Sequence, residues 1–467
     1  MSFSTVAILL TIGIKWLIGL GPYSGMNSPP SFGDFEAQRH WLEVTNGVPS
    51  DQWYSHSPDY WPLDYPPLTA WHSALLGKIA SCLNTDWIAL NTSRGNEDPN
   101  LKLYMRLSVI TSELLILVPG ILQILKVDVE LPILLFLIQP CLIMIDNGHF
   151  QYNSVMIGFF ILSIACFFQS RWILGCIFFS CSVLFKQMGL FWALPVFFYL
   201  LGQSYERGFS FLLKIATTTL VCFSIGFASV SSNLQGVLIV LNRIFPVKRG
   251  LWEDKVANFW CASNVFLKSR EIFPIETLIK TSLITTLLVV LPACLLLARK
   301  PNQKNFIISL CISSLGFYLF SFQVHEKSIL IPAFTINLLW SLNSRLVIWF
   351  NTVALYSIMP LLIREGLGIQ SFLLGVCYHL LLTDLSFKTT FSKKWDDRMK
   401  MIEKWTYLIM TSLLFGEFSL GNPSSYPHLF TVVNVEFSAC MFLTTLGYLY
   451  YLMVMENFTK KKKSKTR

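Results

Sequence analysis

Long apolar segments separated by short polar ones run through almost the whole chain. The apolar runs are continuous and do not alternate with a period of two. Because about 20 such residues span a bilayer, this pattern predicts membrane-crossing helices and not a β-barrel. Fourteen candidate spans can be drawn at 4–20, 105–126, 131–145, 154–168, 171–185, 188–202, 211–229, 278–298, 305–322, 328–342, 345–363, 369–386, 404–420 and 429–453. The sequence therefore predicts an all-α polytopic membrane protein with about 14 transmembrane helices, forming a single domain over 1–467.

The polar segments separate into two sets when the spans are counted off in order. Strongly basic segments fall on one face, which the positive-inside rule assigns to the cytosol together with both termini; they are 299–304, 387–404 and 460–467. Chemically varied segments fall on the opposite face; they are 21–104, 146–153, 186–187, 242–260 and 325–327. The count thus predicts a long first luminal loop (21–104), a second large luminal loop (230–277) and a basic cytosolic tail (456–467).

The composition supports a membrane protein and sets its charged residues in context. Mean hydropathy is +0.54, and only 13% of residues are charged. The net charge of +9 does not suggest a nucleic-acid partner, because basic residues gather beside the predicted spans, where they act as cytosolic anchors. Lys463 and Lys465 have the spacing of dilysine retrieval signals of the endoplasmic reticulum, with a polybasic lipid anchor as the alternative. Retrieval would make the varied polar face luminal.

The stretch "GDFEAQRHWLEVT", from Gly33 to Thr45, concentrates ionisable groups in this otherwise apolar chain. Its spacing predicts a helix on which Asp34, Gln38 and Trp41 share one face, since they stand at i, i+4 and i+7. From spacing alone, Asp34 is equally well explained as a helix N-cap. The first loop therefore offers a candidate carboxylate without settling its role.

Aromatic residues and carboxylates follow in the stretch "YSHSPDYWPLDYPPLTAW" at 54–71, which contains Asp59 and Asp64. Aromatic faces beside carboxylates suit a carbohydrate, whose ring C–H groups stack while its hydroxyls donate hydrogen bonds. An amphipathic loop lying at the level of the lipid headgroups explains the same composition. Both interpretations stay open at this point.

Cations occupy the other polar segments of the same face. They include Lys186, His325, Lys327 and Arg249. Charged groups at the mouth of a helical bundle are costly unless they are paired or used, and several together suit an anionic group such as a lipid phosphate. For each residue taken alone, snorkelling or a local ion pair is the simpler explanation.

Six segments of the sequence resemble one known family. They are "GDFEAQRHWLEVT", "LDYPPLTAWHS", "DNGHFQYNSV", "FKQM", "RIFPVKRGLWEDKVANFW" and "FSFQVHEKSILIP". On these segments the chain resembles the dolichyl-phosphate-glucose-dependent glucosyltransferases of the endoplasmic reticulum, which have the GT-C fold. The "EAQRHW" run favours the type of member that adds the first glucose, in α-1,3 linkage, to the nine-mannose lipid-linked oligosaccharide. The sister type that adds the second glucose is the alternative.

The resemblance also implies a mechanism and a set of site residues. It implies an inverting transfer from a lipid-phosphate sugar donor, with Asp34 as the general base. His325, with Lys327 or Arg249, would stabilise the departing dolichyl phosphate, and Asp64 would bind the acceptor or organise the loop. The residues expected to bind substrate are thus His325, Lys327, Arg249, Asp64, Trp41 and Gln38.

The expected partners are the donor dolichyl phosphate glucose, a dolichyl-pyrophosphate-linked oligosaccharide acceptor and membrane lipid, with no nucleic acid. No metal cofactor is expected, because the leaving group is a monophosphate and the motif offers Asp34 without a second aspartate in a D-x-D pair. A transporter or lipid flippase is the alternative from another class. It would be expected to carry charges at the membrane midplane, whereas the notable buried charges here are only Lys15, Glu113 and Asp384.

Overall fold

Helices form all the regular secondary structure in the residues that the computed structural model describes, which are 3–56, 59–128, 130–245, 255–386 and 393–464. The helical segments, including short 3₁₀ and π turns, are Phe3–Gly19, Asp34–Gly47, Ser50–Gln52, Pro67–Leu83, Thr85–Trp87, Pro99–Val127, Ile133–Leu137, Pro140–Leu142, Ile143–Phe150, Asn153–Phe168, Trp172–Phe185, Gln187–Trp192, Ala193–Arg207, Phe209–Ala228, Leu234–Ile244, Phe259–Phe266, Ser269–Ile272, Ile275–Arg299, Gln303–Phe320, Glu326–Ile329, Leu330–Thr335, Ile336–Leu339, Trp340–Ser357, Met359–Arg364, Gly368–Ser386, Lys393–Leu420 and Leu429–Ser464. The predicted all-α class is confirmed for this part of the chain.

Several helices have the length and composition needed to cross a bilayer. Within the described ranges, six meet both conditions: Pro99–Val127, Ile133–Phe150, Phe209–Ala228, Ile275–Arg299, Gly368–Ser386 and Leu429–Asn457. Each of the fourteen segments drawn from the sequence lies on one helix or on consecutive helices. The chain is a multi-pass membrane protein, and the count of about fourteen crossings stays a prediction.

Close helix packing fixes the position of the polar segment 146–153. Helix Pro99–Val127 packs against helix Asn153–Phe168, which begins directly after that segment. A Cβ on Gly158 would lie 2.7 Å from the backbone nitrogen of Leu117, so only glycine permits this approach. Small residues at such crossings are the usual means of packing helices in a bilayer, where lipid is as apolar as the side chains.

Polar contacts at two separate groups of loops agree with the predicted division into two faces. One group joins residues of the varied polar segments; they are Asp34, His149, Gln151, Lys186 and Lys327. The other joins residues near the basic segments, in the pairs Asp128–Ser341, Lys300–Asn457, Lys304–Glu456 and Arg345–Glu403. These contacts connect segments that the span count places on a shared face. Which face is luminal does not follow from them.

The aromatic residues of the first loop form a small core of their own. Trp41, Trp53 and Tyr54 are buried with Leu63 and with residues of the helix Leu234–Ile244. The indole N–H of Trp41 donates to the carbonyl of Trp61 at 3.1 Å. These side chains therefore pack the loop against the second large loop. Trp71, in the same loop, is 45% exposed, and the sugar-site and headgroup-level interpretations both stay predictions.

Candidate active site

The helix Asp34–Gly47 carries the first half of the candidate site, and a closed charge cluster anchors it. Arg39 is fully buried and donates to Glu36 (Nε–Oε2, 2.7 Å), Glu43 (Nη2–Oε2, 2.7 Å) and Ser93 (Nη1–Oγ, 2.7 Å). Burial alone would raise the pKa of Glu43, but His40 and Arg39 lower this pKa to about 2. The cluster therefore ties the helix to the later part of the first loop and holds its first turn in place.

Asp34 is the first residue of this helix, and its two carboxylate oxygens have different surroundings. Oδ2 accepts hydrogen bonds from Lys327 Nζ at 2.7 Å and from Gln151 Nε2, and it lies 3.0 Å from His149 Nε2. Among the described residues, Oδ1 has no hydrogen-bond donor, and 22% of the side chain is exposed. One oxygen is thus fixed by the protein, while the other is left without a hydrogen bond from these residues.

The sequence-based alternative that Asp34 caps its helix is wrong. Gly33 precedes the helix as the N-cap, and no side chain caps the first turn. The backbone N–H of Asp34 donates instead to Ser24 Oγ at 3.2 Å. Asp34 is itself the first residue of the helix, and its carboxylate contacts residues from other segments.

His149 reaches Asp34 because the helix in the third predicted span ends irregularly. The segment Ile143–Phe150 is a π-helix, and Phe150 leaves it with φ at 96°, a left-handed value that is costly for a bulky residue. Such irregular turns are frequent at functional sites. The imidazole Nε2 lies 3.0 Å from Asp34, and Nδ1 lies 2.7 and 2.8 Å from the two oxygens of Glu365.

Lys186 supports Asp34 indirectly, through the side-chain amides of Gln151 and Asn153. Its ammonium donates to Gln151 Oε1 at 2.9 Å and to Asn153 Oδ1 at 2.7 Å. Asn153 in turn donates to the buried carboxylate of Asp146 at 2.8 Å. Because Gln151 accepts from Lys186 with its oxygen, its amide nitrogen is left to donate to Asp34. Lys186 therefore fixes the orientation of Gln151.

The charges of Asp34 and Lys327 stabilise one another. Burial alone would raise the pKa of Asp34, but Lys327 and His149 outweigh burial and hold it well below its usual range. Burial would lower the pKa of Lys327, but the Asp34 carboxylate raises it above its usual value. At neutral pH the site thus holds an ionised carboxylate whose open oxygen can accept a proton, beside a cation that can bind an anion.

Comparison with known proteins assigns the chain to a protein family. The sequence model of the "ALG6, ALG8 glycosyltransferase family" matches residues 11–449. The chain belongs to this family. It is 40% identical to the "Probable dolichyl pyrophosphate Man9GlcNAc2 alpha-1,3-glucosyltransferase" of Schizosaccharomyces pombe, over 96% of this chain and 92% of that protein. It is 36% identical to the Gallus gallus protein and 40% identical to the Saccharomyces cerevisiae protein, both named dolichyl pyrophosphate Man9GlcNAc2 alpha-1,3-glucosyltransferase. These alignments cover 99% of both chains for the first, and 92% of this chain and 87% of its relative for the second.

Membership of the ALG6, ALG8 glycosyltransferase family confirms the resemblance inferred from the six motifs. The residues predicted from them take up different positions. Lys327 contacts Asp34 directly, whereas Gln38 and Trp41 are 2% and 4% exposed. The backbone carbonyl of Asp64 accepts from Gln187 Nε2 at 3.3 Å. The structure therefore brings Asp34 and Lys327 together and places Gln38 and Trp41 in the packed wall of the loop.

His325 and Arg249 are the two remaining predicted residues. His325 is half-buried and precedes the helical turn Glu326–Ile329 that presents Lys327. Arg249 lies outside the described residues, as do the rest of 246–254 in the second large loop and residues 465–467 of the basic tail. The binding roles proposed for His325 and Arg249 stay predictions.

Three contacts of the site did not emerge as site residues from sequence reasoning: His149, Gln151 and Glu365. The first two stand in the quoted motif "DNGHFQYNSV", so their polar character between two apolar spans was a usable signal. Glu365 stands alone between two spans, and no motif distinguishes it. It is brought to His149 only by the tertiary fold, across 216 positions of sequence.

Metal binding remains a separate question. Among the described residues, no group of three or more His, Cys, Asp and Glu side chains is arranged to hold a metal ion. Asp34 is instead surrounded by side-chain nitrogen atoms of Lys327, His149 and Gln151. The expectation that the reaction uses no metal stays a prediction.

Proposed function

We propose that this chain is an inverting α-1,3-glucosyltransferase that transfers glucose from dolichyl phosphate glucose to the terminal mannose of a dolichyl-pyrophosphate-linked Man9GlcNAc2 oligosaccharide. The acceptor and linkage are those printed in the names of its relatives in the ALG6, ALG8 glycosyltransferase family. The observation that carries the proposal is the Asp34 carboxylate, fixed at Oδ2 by Lys327 and His149 and open at Oδ1.

Asp34 acts as the general base through its open oxygen. Oδ1 removes the proton from the 3-hydroxyl of the terminal mannose as that oxygen forms a bond to C1 of glucose. The bond between C1 and the phosphate oxygen breaks, and dolichyl phosphate leaves with the electron pair. Attack from the face opposite the phosphate converts a β-linked donor into an α-linked product. A positioned base contributes about 10²–10⁴-fold to such a step.

Lys327 and His149 balance the charge that moves during this step. Asp34 loses its negative charge on taking the proton, while the leaving phosphate gains about one unit as it becomes a monoester. The two cations that Asp34 held at 2.7 and 3.0 Å are released at the moment when the phosphate needs them. Donors of this kind, aimed in advance at developing charge, are the usual main source of catalysis.

The site faces the lumen of the endoplasmic reticulum in this proposal. The positive-inside rule supports this orientation, because the basic segments fall on the face opposite Asp34. Cys82 is exposed in the first loop and provides a test. A membrane-impermeant maleimide should label a variant retaining only Cys82 after microsomes are opened, and labelling of sealed microsomes would contradict the orientation.

The direct test is transfer by the purified protein in detergent. Dolichyl phosphate glucose and the nine-mannose lipid-linked acceptor should give a product larger by one hexose that an α-1,3-specific glucosidase reverses. UDP-glucose as donor should give no product. Transfer only to an acceptor that already carries one glucose would overturn the assigned acceptor, and no transfer to either acceptor by folded protein would overturn the function.

A further inference from the structure

Glu365 makes the most specific contact of the site that the reaction described above leaves unexplained. Both of its oxygens lie within hydrogen-bond distance of His149 Nδ1, at 2.7 and 2.8 Å. The side chains of Glu365 and His149 are 9% and 3% exposed. Among the described residues, His149 is the hydrogen-bond partner of this carboxylate, and its charge also acts on Lys327 and Arg106.

The turn that carries Glu365 is fixed by its backbone. Helix Met359–Arg364 ends in a Schellman motif, in which Leu367 N–H donates to the Leu362 carbonyl at 2.7 Å and Gly366 N–H donates to the Ile363 carbonyl at 3.0 Å. Gly366 has φ at 74°, a left-handed conformation that glycine adopts without strain. Glu365, directly before it, is therefore held in place without relying on its contact with His149.

His149 has a carboxylate on each side of its ring. A neutral imidazole carries one N–H and one lone pair; with its proton on Nδ1 it could accept from Lys327 Nζ at Nε2, but it could not donate to Glu365 and Asp34 together. Only the imidazolium donates to both at once. The other charges nearby are Lys327, whose Nζ lies 3.1 Å from His149 Nε2, and Arg106, which donates to the Gly148 carbonyl at 2.7 Å. Together, Asp34 and Glu365 offset the repulsion between His149 and Lys327.

The reaction removes one of these two carboxylates. When Asp34 takes a proton from the acceptor, its charge disappears, and Glu365 becomes the only ionised carboxylate in contact with His149 among the described residues. Without Glu365, His149 would be free to lose its proton or turn away from the site at that moment. The contact therefore matters most in the step that generates phosphate charge.

We propose that Glu365 is a positioning residue that keeps His149 protonated, with Nε2 directed at the site, while Asp34 gains and releases its proton. The inference rests on the proposed role of Asp34 as base. Glu365 touches neither the reacting hydroxyl nor the phosphate and acts through His149. Its removal should therefore affect turnover and pH dependence while leaving acceptor binding nearly unchanged.

The test compares Glu365→Ala, Glu365→Asp and Glu365→Gln in the full-length protein, with Glu276→Gln as a control. Glu276 is an exposed carboxylate at the start of helix Ile275–Arg299 and is distant in sequence from the site residues. Glu365→Ala should lower kcat by roughly 10–100-fold, the size of effect known for carboxylates that orient metal-binding histidines. The acceptor KM and the melting midpoint should stay near wild type, and Glu365→Asp should recover part of the rate.

Glu365→Gln separates charge from orientation. Its amide can still donate to Nδ1 of a neutral ring, but it no longer favours the imidazolium, so the alkaline limb of its kcat profile should move to lower pH. Wild-type kcat and pH dependence in both Glu365→Ala and Glu365→Gln would overturn the proposal. A loss of rate that follows the melting midpoint, with no shift in pH dependence, would reduce Glu365 to a structural role and also overturn it.

A readout without catalysis distinguishes this inference from the proposed function. Nitrogen-15 spectra of histidine-labelled protein, assigned with His149→Gln, report the protonation of both ring nitrogens. Wild type should show imidazolium at neutral pH, and Glu365→Gln should show a neutral ring. A neutral His149 in the wild type would overturn the inference even if the enzyme is active. A charged His149 in a protein that transfers no glucose would leave Glu365 as its anchor and reject the function alone.

Discussion

Helix Asp34–Gly47 carries two charge clusters that differ in how many of their carboxylate oxygens are occupied. Around Arg39, all four oxygens of Glu36 and Glu43 accept hydrogen bonds, and the three side chains are between 0 and 4% exposed. Around Asp34, three side-chain nitrogen atoms converge on Oδ2, and Oδ1 receives no hydrogen bond from the described residues. The first cluster is closed and the second is open.

This difference separates structural from chemical use of the same residue types. A buried carboxylate with every oxygen occupied has no site left for a substrate, and its partners hold it ionised. A carboxylate bound through one oxygen keeps its orientation while the other oxygen can still react. The closed cluster also positions the open one, because both stand on a single helix of fourteen residues.

The closed cluster should respond to mutation mainly through stability. Arg39→Met leaves Glu36 and Glu43 buried without their cation, which typically costs about 3–5 kcal/mol. We expect a large drop of the melting midpoint in detergent, with loss of activity following from unfolding. The exposed Lys78 provides a control, since Lys78→Met should change stability by no more than about 0.5 kcal/mol. An Arg39→Met protein that melts like wild type would remove the distinction between the clusters.

The open cluster should respond mainly through rate. Lys327→Met removes a hydrogen-bond donor that lies 2.7 Å from Asp34 Oδ2. It also removes a cation that is proposed to stabilise the negative charge of the leaving phosphate. We expect kcat to fall by about 10²–10³-fold, as for other donors to developing charge. The melting midpoint should fall less than in Arg39→Met, because Lys327 and Asp34 are partly exposed. A change confined to the acceptor KM would contradict this role.

The pH dependence of kcat/KM should sharpen the comparison. Lys327 and His149 hold the pKa of Asp34 well below its usual range, so Asp34 stays ionised as the pH falls through about 4, the ordinary value for aspartate. The wild-type acid limb should therefore lie below this pH, and Lys327→Met should move it to higher pH. The stabilisation from the ionised carboxylate has the same sign: it is present above the unfolded pKa and lost as the pH falls through the folded one. An acid limb that does not move would show that Lys327 does not control Asp34.

The smallest expected effect is that of metal removal. The charge balance proposed here uses Lys327 and His149, so dialysis against EDTA should leave the transfer rate unchanged. The measurement is the rate before dialysis, after it, and after addition of Mg²⁺ or Mn²⁺. Loss of activity that either ion restores would overturn the expectation that no metal takes part.

The sequence predicted those features that depend on local pattern or on counting. The helix at Gly33–Thr45 was predicted from its spacing, and the structure has a helix at Asp34–Gly47. The contact between Asp34 and Lys327 joins two segments that the span count places on one face. Lys15 and Glu113, two of the three charges noted within the predicted spans, form a buried ion pair. Each of these follows from periodicity, hydropathy or the cost of a lone charge in a membrane.

Other features depend on packing that no local pattern records. The composition of the first loop did not indicate that Trp41, Trp53 and Tyr54 fill a small core with the helix Leu234–Ile244. Glu365 meets His149 only because a π-helical turn and a Schellman motif, far apart in sequence, end side by side. Asp34 resembled an N-cap because the residues that bind its carboxylate are far from it in sequence and no local pattern indicates them.

The measurement that tests the account most directly is glucose transfer by Asp34→Asn, combined with its melting midpoint. The amide keeps the shape of the carboxylate and can still accept a hydrogen bond from Lys327, but it cannot take a proton from the acceptor. The account predicts a rate at least about 10²-fold below wild type, with a folded protein that still binds the donor. A folded Asp34→Asn protein that keeps more than about a tenth of the wild-type rate, well above that 10²-fold loss, would show that Asp34 is not the base.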